Sequence, residues 1–162
     1  MSEPLSSTPV TVSAPHFTEN LSALLTETFE RTSGIYLDKG TDLFSTLAAL
    51  SAERASRDVH GTTVAAQTFH TAFYLRAMER YAEGFTGKTE WLESWTVQRV
   101  TEPEWDALQT QLREDYKRAV GKLRAVTCWN EDELGFGMTV TVHSAYHLGA
   151  IRQLVKALKE PI

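Results

Sequence analysis

Cysteine, basic charge and long apolar runs are all scarce in this 162-residue sequence. The single cysteine, Cys128, excludes an internal disulfide and any metal site built from several cysteines. No segment approaches the roughly 18 uninterrupted apolar residues of a membrane-spanning helix, and the first four residues, MSEP, lack the basic start of a signal peptide. We therefore expect a cytoplasmic protein with no membrane partner.

The charge balance is acidic, with 16 basic against 21 acidic residues and a net charge of −5. Such a surface repels a phosphate backbone, so nucleic acid is excluded as an expected partner. Hydrophobic residues make up 42% of the chain and charged residues 23%, which is the balance of a globular protein. A chain of this length can bury most of its apolar surface around a single core.

Proline is concentrated at the beginning of the chain, where Pro4, Pro9 and Pro15 lie among serines and threonines. This composition buries too little apolar surface to become ordered on its own. We predict a flexible N-terminal arm over residues 1–15 and one domain over residues 16–162.

Apolar residues recur at helical spacing in four segments that are separated mainly by glycines. The predicted long helices cover about 16–33, 62–84, 101–126 and 139–159. Residues 41–57 predict a short helical connector, formed by two short helices or one broken helix. Because no run alternates with the two-residue period of a strand, the pattern predicts an all-α, four-helix bundle with an extra helical connector between helices 1 and 2.

Three smaller features complete the predicted fold. The stretch around Trp91 and Trp95 is too short for a main helix and is expected to lie over the core. Asn130 and the three acidic residues after it, at 131–133, predict a loop before the last helix. Gly149 lies inside that helix, where glycine is unfavourable, and so predicts a close approach of another backbone.

Three of the five histidines lie on apolar helix faces. His143 and His147 are four residues apart and share one face of the last helix, whereas His70 lies on the inward face of the second. A single core histidine is commonly satisfied by a tyrosine, a carbonyl or a carboxylate. Three converging imidazoles satisfy one another poorly, because each neutral ring offers one donor and one acceptor. A divalent ion such as zinc, nickel or iron resolves this difficulty, and three ligands leave positions open to water or substrate.

The segments that carry these histidines resemble a known family. Residues 142–153, VHSAYHLGAIRQ, are similar to the last-helix signature of the DinB/YfiT-like superfamily, and residues 69–74, FHTAFY, resemble its second-helix histidine motif. The likeness spans about residues 16–158. It implies a four-helix bundle, often dimeric, with a metal held by one histidine of helix 2 and two of helix 4. Here these ligands are His70, His143 and His147.

Two classes of function follow from these observations. The resemblance implies a metal-dependent enzyme, because the superfamily includes transferases and an isomerase that use low-molecular-weight thiols. A bound metal would act as a Lewis acid and lower the pKa of a thiol or water for attack on an electrophilic small molecule. We expect a thiol transferase or hydrolase that forms a homodimer. The alternative is a non-enzymatic, stress-related or binding bundle with a structural metal or none.

Overall fold

Residues 12–158 are described by the computed structural model of the chain. This part of the protein contains six α-helices, one 3-10 helix and no strand, which confirms the prediction of an all-helical fold. The helices are α1 (Ala14–Phe29), α2 (Leu43–Ala48), α3 (Ala52–Ala55), α4 (Val64–Ala82), α5 (Glu102–Arg124) and α6 (Glu131–Ala157), and the 3-10 helix is Trp91–Trp95. None of these helices combines the length and the apolar character needed to cross a membrane.

The four longest helices of the described chain pack around a shared apolar core. Helix α4 packs against both α5 and α6, and α1 packs against the same two helices. The core contains Leu25, Phe29, Tyr116, Leu148 and Ile151, which are all almost completely buried. Helices α2 and α3 form the predicted connector, and the 3-10 helix packs against α4. This arrangement places the inward face of α4 directly against α6.

Side-chain caps determine where several helices begin. The sequence offers Thr62 and Thr63 as alternative caps of α4, and in the structure Thr63 accepts a hydrogen bond from the backbone N–H of Ala66 at 3.0 Å. At the start of α5, the Glu104 carboxylate accepts from the backbone N–H and the hydroxyl of Thr101 at 2.7 and 2.8 Å. These contacts satisfy donors that the first turn of a helix otherwise leaves unpaired.

The predicted start of the last helix is wrong, because α6 begins at Glu131 rather than near residue 139. The Asn130 side chain accepts from the backbone N–H groups of Asp132 and Glu133 and caps the helix at that point. The acidic residues that suggested a loop lie in the first turn, where the helix dipole favours negative charge.

The first helix also differs from its predicted bounds. It begins at Ala14 and ends at Phe29, whereas the sequence pattern predicted residues 16–33. The Glu27 carboxylate accepts hydrogen bonds from the backbone N–H groups of Ile35, Tyr36 and Leu37, so the chain after α1 turns back over the helix. Of the predicted flexible arm, residues 1–11 lie outside the described residues, and Pro15 belongs to α1.

The predicted close approach at Gly149 is also wrong. A Cβ added there would meet no atom within 4 Å. The tightly packed glycine of α6 is Gly137, where an added Cβ would lie 2.6 Å from Leu21 Cδ2 and 2.9 Å from Leu123 Cδ2. Both leucines belong to the core, so α1 and α5 pack closely against α6 at this point.

These two glycines give a matched stability test. Gly149→Ala is expected to stabilise the fold by about 0.5–1 kcal/mol, because alanine is the better helix former and has room. Gly137→Ala is expected to destabilise it, because overpacking a core costs about 1–3 kcal/mol and outweighs the gain in helix propensity. Urea unfolding of both variants measures the two free energies. A stabilised Gly137→Ala protein would contradict the packing described for α6.

Candidate metal centre

The structure brings His70, His143 and His147 together. One ligand nitrogen from each ring lies within 4.8 Å of the others. The Nε2 atoms of His70 and His143 are 3.2 Å apart. Among the described residues, these histidines form the group suited to hold a metal ion, and their predicted convergence is confirmed.

The packing of α4 against α6 explains the cluster. His143 and His147 are one turn apart on α6, and both rings contact the ring of His70 on α4, with centroids 5.2 and 4.6 Å away. His70 and His147 are buried, but His143 is only partly buried. Their position on one apolar helix face predicts that both rings of the pair are buried, and this prediction is wrong for His143, whose ring reaches the surface of the bundle.

Two hydrogen bonds orient the buried rings. His70 Nδ1 lies 2.7 Å from Ser94 Oγ, and the Ser94 hydroxyl donates to the carbonyl oxygen of Trp91 at 2.6 Å. Because that hydroxyl proton is already used, Ser94 Oγ accepts a hydrogen bond from the N–H group at His70 Nδ1. His147 Nδ1 likewise donates to Gln67 Oε1 at 2.7 Å.

These contacts determine the tautomer of each buried ring. With the proton on Nδ1, the Nε2 atoms of His70 and His147 carry the free lone pair that a metal requires. Gln67 is itself oriented, since its Nε2 donates to Thr62 Oγ1 at 3.3 Å. Hydrogen-bond partners outside the cluster thus fix the orientation of these two rings and determine which ring nitrogen carries the proton.

Aromatic side chains surround the cluster. The Trp95 ring stacks on His70 with centroids 4.0 Å apart, and the Tyr74 ring stacks on His143 with centroids 3.5 Å apart. Tyr146 meets His147 edge to face at 5.0 Å. These flat contacts restrict rotation of the imidazoles and exclude water from their faces.

The environment favours neutral histidines. Burial, together with the nearby His143 and His70, lowers the pKa of His147 to about 3. Burial, followed by the neighbouring His70, lowers the pKa of His143 to about 4. Burial also lowers the pKa of His70. All three rings are therefore neutral at pH 7, which is the state that binds a metal.

The donor set fits a divalent first-row ion. Two imidazole nitrogens that bind one tetrahedral ion at about 2.0–2.1 Å lie about 3.3 Å apart, and the 3.2 Å between the Nε2 atoms of His70 and His143 matches that spacing. Imidazole is a suitable ligand for zinc, nickel and iron. Three neutral protein ligands correspond to a site that keeps a position for an exogenous ligand.

A shallow depression of about 430 Å³ lies beside the exposed edge of His143. It is lined by Met138, Thr139, Val142, His143 and Tyr146. The cluster is therefore reachable from solvent on the α6 side, while the opposite side is covered by α4 and the 3-10 helix.

The two remaining histidines and the single cysteine lie outside the cluster. His16 is exposed in the first turn of α1, within 2.8 Å of Ser13 Oγ. His60 occupies a turn with a φ of 55°. Cys128 is exposed and lines a separate cavity with Tyr81 and Lys122. None of these residues belongs to the histidine cluster.

Sequence reasoning missed Gln67 and Ser94. Gln67 had a detectable signal, since it precedes His70 by three residues and shares its helix face. Ser94 had none, because its role depends on how the 3-10 helix packs against α4. The Trp95 segment was predicted to lie over the core, and the structure places the rings of both Trp95 and Tyr74 against the cluster.

Comparisons of this chain with protein-family models, with curated proteins and with solved structures found no match. The histidine geometry is therefore the principal evidence for a function.

The two orienting hydrogen bonds can be tested separately from the ligands. Ser94→Ala and Gln67→Leu are each expected to weaken zinc binding about 10–100-fold, which is the usual cost of losing such a partner. Ser144→Ala is a matched control, because the Ser144 hydroxyl is buried near the cluster and has no hydrogen-bond partner. Competition titrations against a chromogenic chelator give the affinities. Equal affinities for Ser94→Ala, Ser144→Ala and the wild type would contradict an orienting role for Ser94.

Proposed function

We propose that this protein is a metal-dependent enzyme of the DinB/YfiT-like type, which activates a low-molecular-weight thiol or water for attack on an electrophilic small molecule. The observation that carries the proposal is the histidine cluster, with one ligand nitrogen per ring within 4.8 Å of the others. His143 at its edge is open to solvent. The helix order and the motif residues at 69–74 and 142–153 also support the family assignment.

The protein and the ion would have different tasks. A divalent ion held by the three histidines would supply Lewis acidity, which lowers the pKa of a thiol or water ligand. Ser94 and Gln67 keep a proton on Nδ1 of His70 and His147, so the Nε2 lone pairs point into the cluster. Trp95 and Tyr74 exclude water from two ring faces.

The surroundings of the cluster support metal activation over a protein nucleophile. Within residues 12–158, Thr139 and Tyr146 are the hydroxyl-bearing residues that line the depression, and Thr139 donates to the carbonyl oxygen of Gly135 at 2.6 Å. No cysteine or lysine of that range lines the depression. The nucleophile is therefore an external thiol or water in this proposal.

The second candidate is a non-enzymatic bundle with a structural metal or none. It is favoured by one observation, because each of the three imidazoles already has a hydrogen-bond partner within the protein. A protein that binds an ion without turnover, or binds no ion, would support this candidate.

The discriminating experiment uses metal-loaded full-length protein. It is assayed with a panel of low-molecular-weight thiols against an aryl chloride, and in parallel for hydrolysis of activated esters and amides. In thiol transfer the sulfur bonds to the ring carbon, chloride leaves with the bonding electron pair and the thiol proton passes to solvent. In hydrolysis, water adds to the acyl carbon and the alcohol or amine leaves with a proton.

We expect one of these activities in the wild type and in His60→Ala, and its loss in His147→Ala. Absence of both activities, or a normal rate in His147→Ala, would refute the enzymatic proposal.

We also propose that the protein is a homodimer, because of the family resemblance, and that it lies in the cytoplasm, because it has a single cysteine. Light scattering that gives a monomer at micromolar concentration would refute the dimer.

A further inference from the structure

Helix α6 carries an exposed apolar stripe next to the metal-binding residues. Leu134, Met138, Val142 and Tyr146 recur at every fourth position, and each exposes more than a third of its surface. Tyr146 and Val142 are the most exposed, at 71% and 66%. The last three of these residues and His143 line the depression beside the cluster.

We propose that the electrophilic substrate is a neutral, apolar or aromatic small molecule that binds in this depression, against Met138, Val142 and Tyr146. This inference rests on the proposed function, since it assigns the second reactant of that reaction. The thiol or water is the reactant with affinity for the ion, and the depression is the surface that remains for the electrophile.

The chemistry of the lining residues supports this assignment. Apolar surface is offered by Met138, Val142 and Tyr146. The Thr139 hydroxyl donates its hydrogen bond to a carbonyl oxygen of its own helix. No arginine or lysine of the described residues lines the depression. Because the thiol or water reactant occupies the open position of the ion, a carboxylate or phosphate on the substrate would lose water without gaining a cationic partner. A methionine side chain adapts to varied ligand shapes, and the Tyr146 ring offers a face for stacking.

The size of the surface favours a small molecule over a second protein chain. A stable interface between proteins uses about 20–30 residues on each side. The stripe supplies one exposed apolar side chain per helical turn, which is a narrow strip. The depression of about 430 Å³ has the volume of a small-molecule site, and His143 forms part of its wall.

Methionine resonances provide a direct test by NMR. The chain has three methionines, and a methyl-labelled, zinc-loaded sample gives one signal from each. The sample is saturated with a low-molecular-weight thiol, so that the open position of the zinc ion is not available to the probes. Met138 lies in the depression, whereas Met78 lines the separate cavity near Cys128 and serves as an internal control. The probes are 4-nitrotoluene, which is neutral and unreactive, and 4-methylbenzenesulfonate, which has a similar ring and a negative charge.

We expect 4-nitrotoluene to shift the Met138 signal saturably and to leave Met78 unchanged, with the sulfonate binding at least about tenfold more weakly. Val142→Thr keeps the side-chain shape but replaces one methyl group with a hydroxyl, and is expected to weaken 4-nitrotoluene binding about three- to tenfold. Val12→Thr is the matched control, because Val12 is exposed to a similar extent, 64%, and does not line the depression.

Three outcomes would overturn the inference. The sulfonate could bind as tightly as the neutral ring, Met78 could respond in place of Met138, or the Met138 signal could depend on protein concentration and not on ligand. The last result would show that a second copy covers the stripe. Because these readouts measure binding, an inactive protein that binds 4-nitrotoluene at Met138 would refute the proposed function alone. An active enzyme without that binding would refute this inference alone.

Discussion

Replacing His147 with alanine is expected to abolish stoichiometric metal binding. His147 is 4% exposed, and its ring contacts Gln67 and Tyr146. Among the described residues, no fourth histidine, cysteine or carboxylate belongs to the cluster and could replace it as a ligand. The loss of affinity should exceed the roughly 10–100-fold loss that follows when a hydrogen-bond partner of a ligand is removed. Competition titration with zinc and nickel at pH 7 measures the affinity of the variant and of the wild type.

His16→Ala and His60→Ala are the matched controls, because they remove histidines that lie outside the cluster. Both should retain wild-type affinity. Circular dichroism should show the same helical content in all four proteins, which separates loss of a ligand from loss of the fold. Unchanged affinity in His147→Ala, or equal losses in the two controls, would contradict the assignment of the ligands.

The second large effect is expected at Glu27, a carboxylate that is completely buried in α1. It accepts hydrogen bonds from the Ser33 hydroxyl at 2.7 Å and from the backbone N–H of Leu37 at 2.8 Å, in addition to the N–H groups of Ile35 and Tyr36. Glu27→Gln keeps the shape but replaces one charged acceptor oxygen with an NH2 donor. We expect the melting temperature to fall by roughly 5 °C or more, because hydrogen bonds to a charged acceptor are the stronger ones.

The effect of Glu27→Gln should depend on pH. Burial raises the pKa of Glu27, but the hydrogen bonds from Ser33, Leu37, Tyr36 and Ile35 outweigh burial and lower the pKa from 4.5 to about 2. Because the folded pKa lies below the unfolded one, the contribution of the carboxylate is complete above pH 4.5 and is lost as the pH falls toward 2.

Thermal unfolding between pH 7 and pH 2.5 tests this expectation. The difference in stability between the wild type and Glu27→Gln should be largest near neutral pH and shrink below pH 4.5. Glu19→Gln, at an exposed position of the same helix, should leave the stability close to that of the wild type. A difference that is constant over the whole range would contradict the role of the charged carboxylate.

Much of the fold could be predicted from periodicity and caps. Thr63 and the Thr101–Glu104 pair mark the starts of α4 and α5 in the sequence as they do in the structure. The start of α6 could not be predicted in this way, because glycines and acidic residues are typical of loops. In the structure the acidic residues form the first turn of α6, and the Asn130 side chain caps that turn. The end of α1 depends on Glu27, which binds residues further along the chain, and no local pattern shows such a contact.

The candidate site could also be predicted only in part. His70, His143 and His147 could be predicted because helical spacing places them on apolar faces, and those faces meet when the bundle forms. The orientation of their rings could not be predicted, because Ser94 contacts His70 only when the 3-10 helix packs on α4. The exposure of His143 was also beyond the pattern, because it depends on where the neighbouring helices end.

The central proposal is that three histidines hold one metal ion and leave a position for a thiol or water. X-ray absorption spectroscopy of untagged, zinc-loaded protein tests this most directly, before and after addition of a low-molecular-weight thiol. We predict three imidazole nitrogens at about 2.0–2.1 Å, completed by oxygen, and the appearance of one sulfur at about 2.3 Å when thiol is added. A closed shell of four protein ligands that thiol does not change, or a spectrum without imidazole scattering, would contradict the proposal.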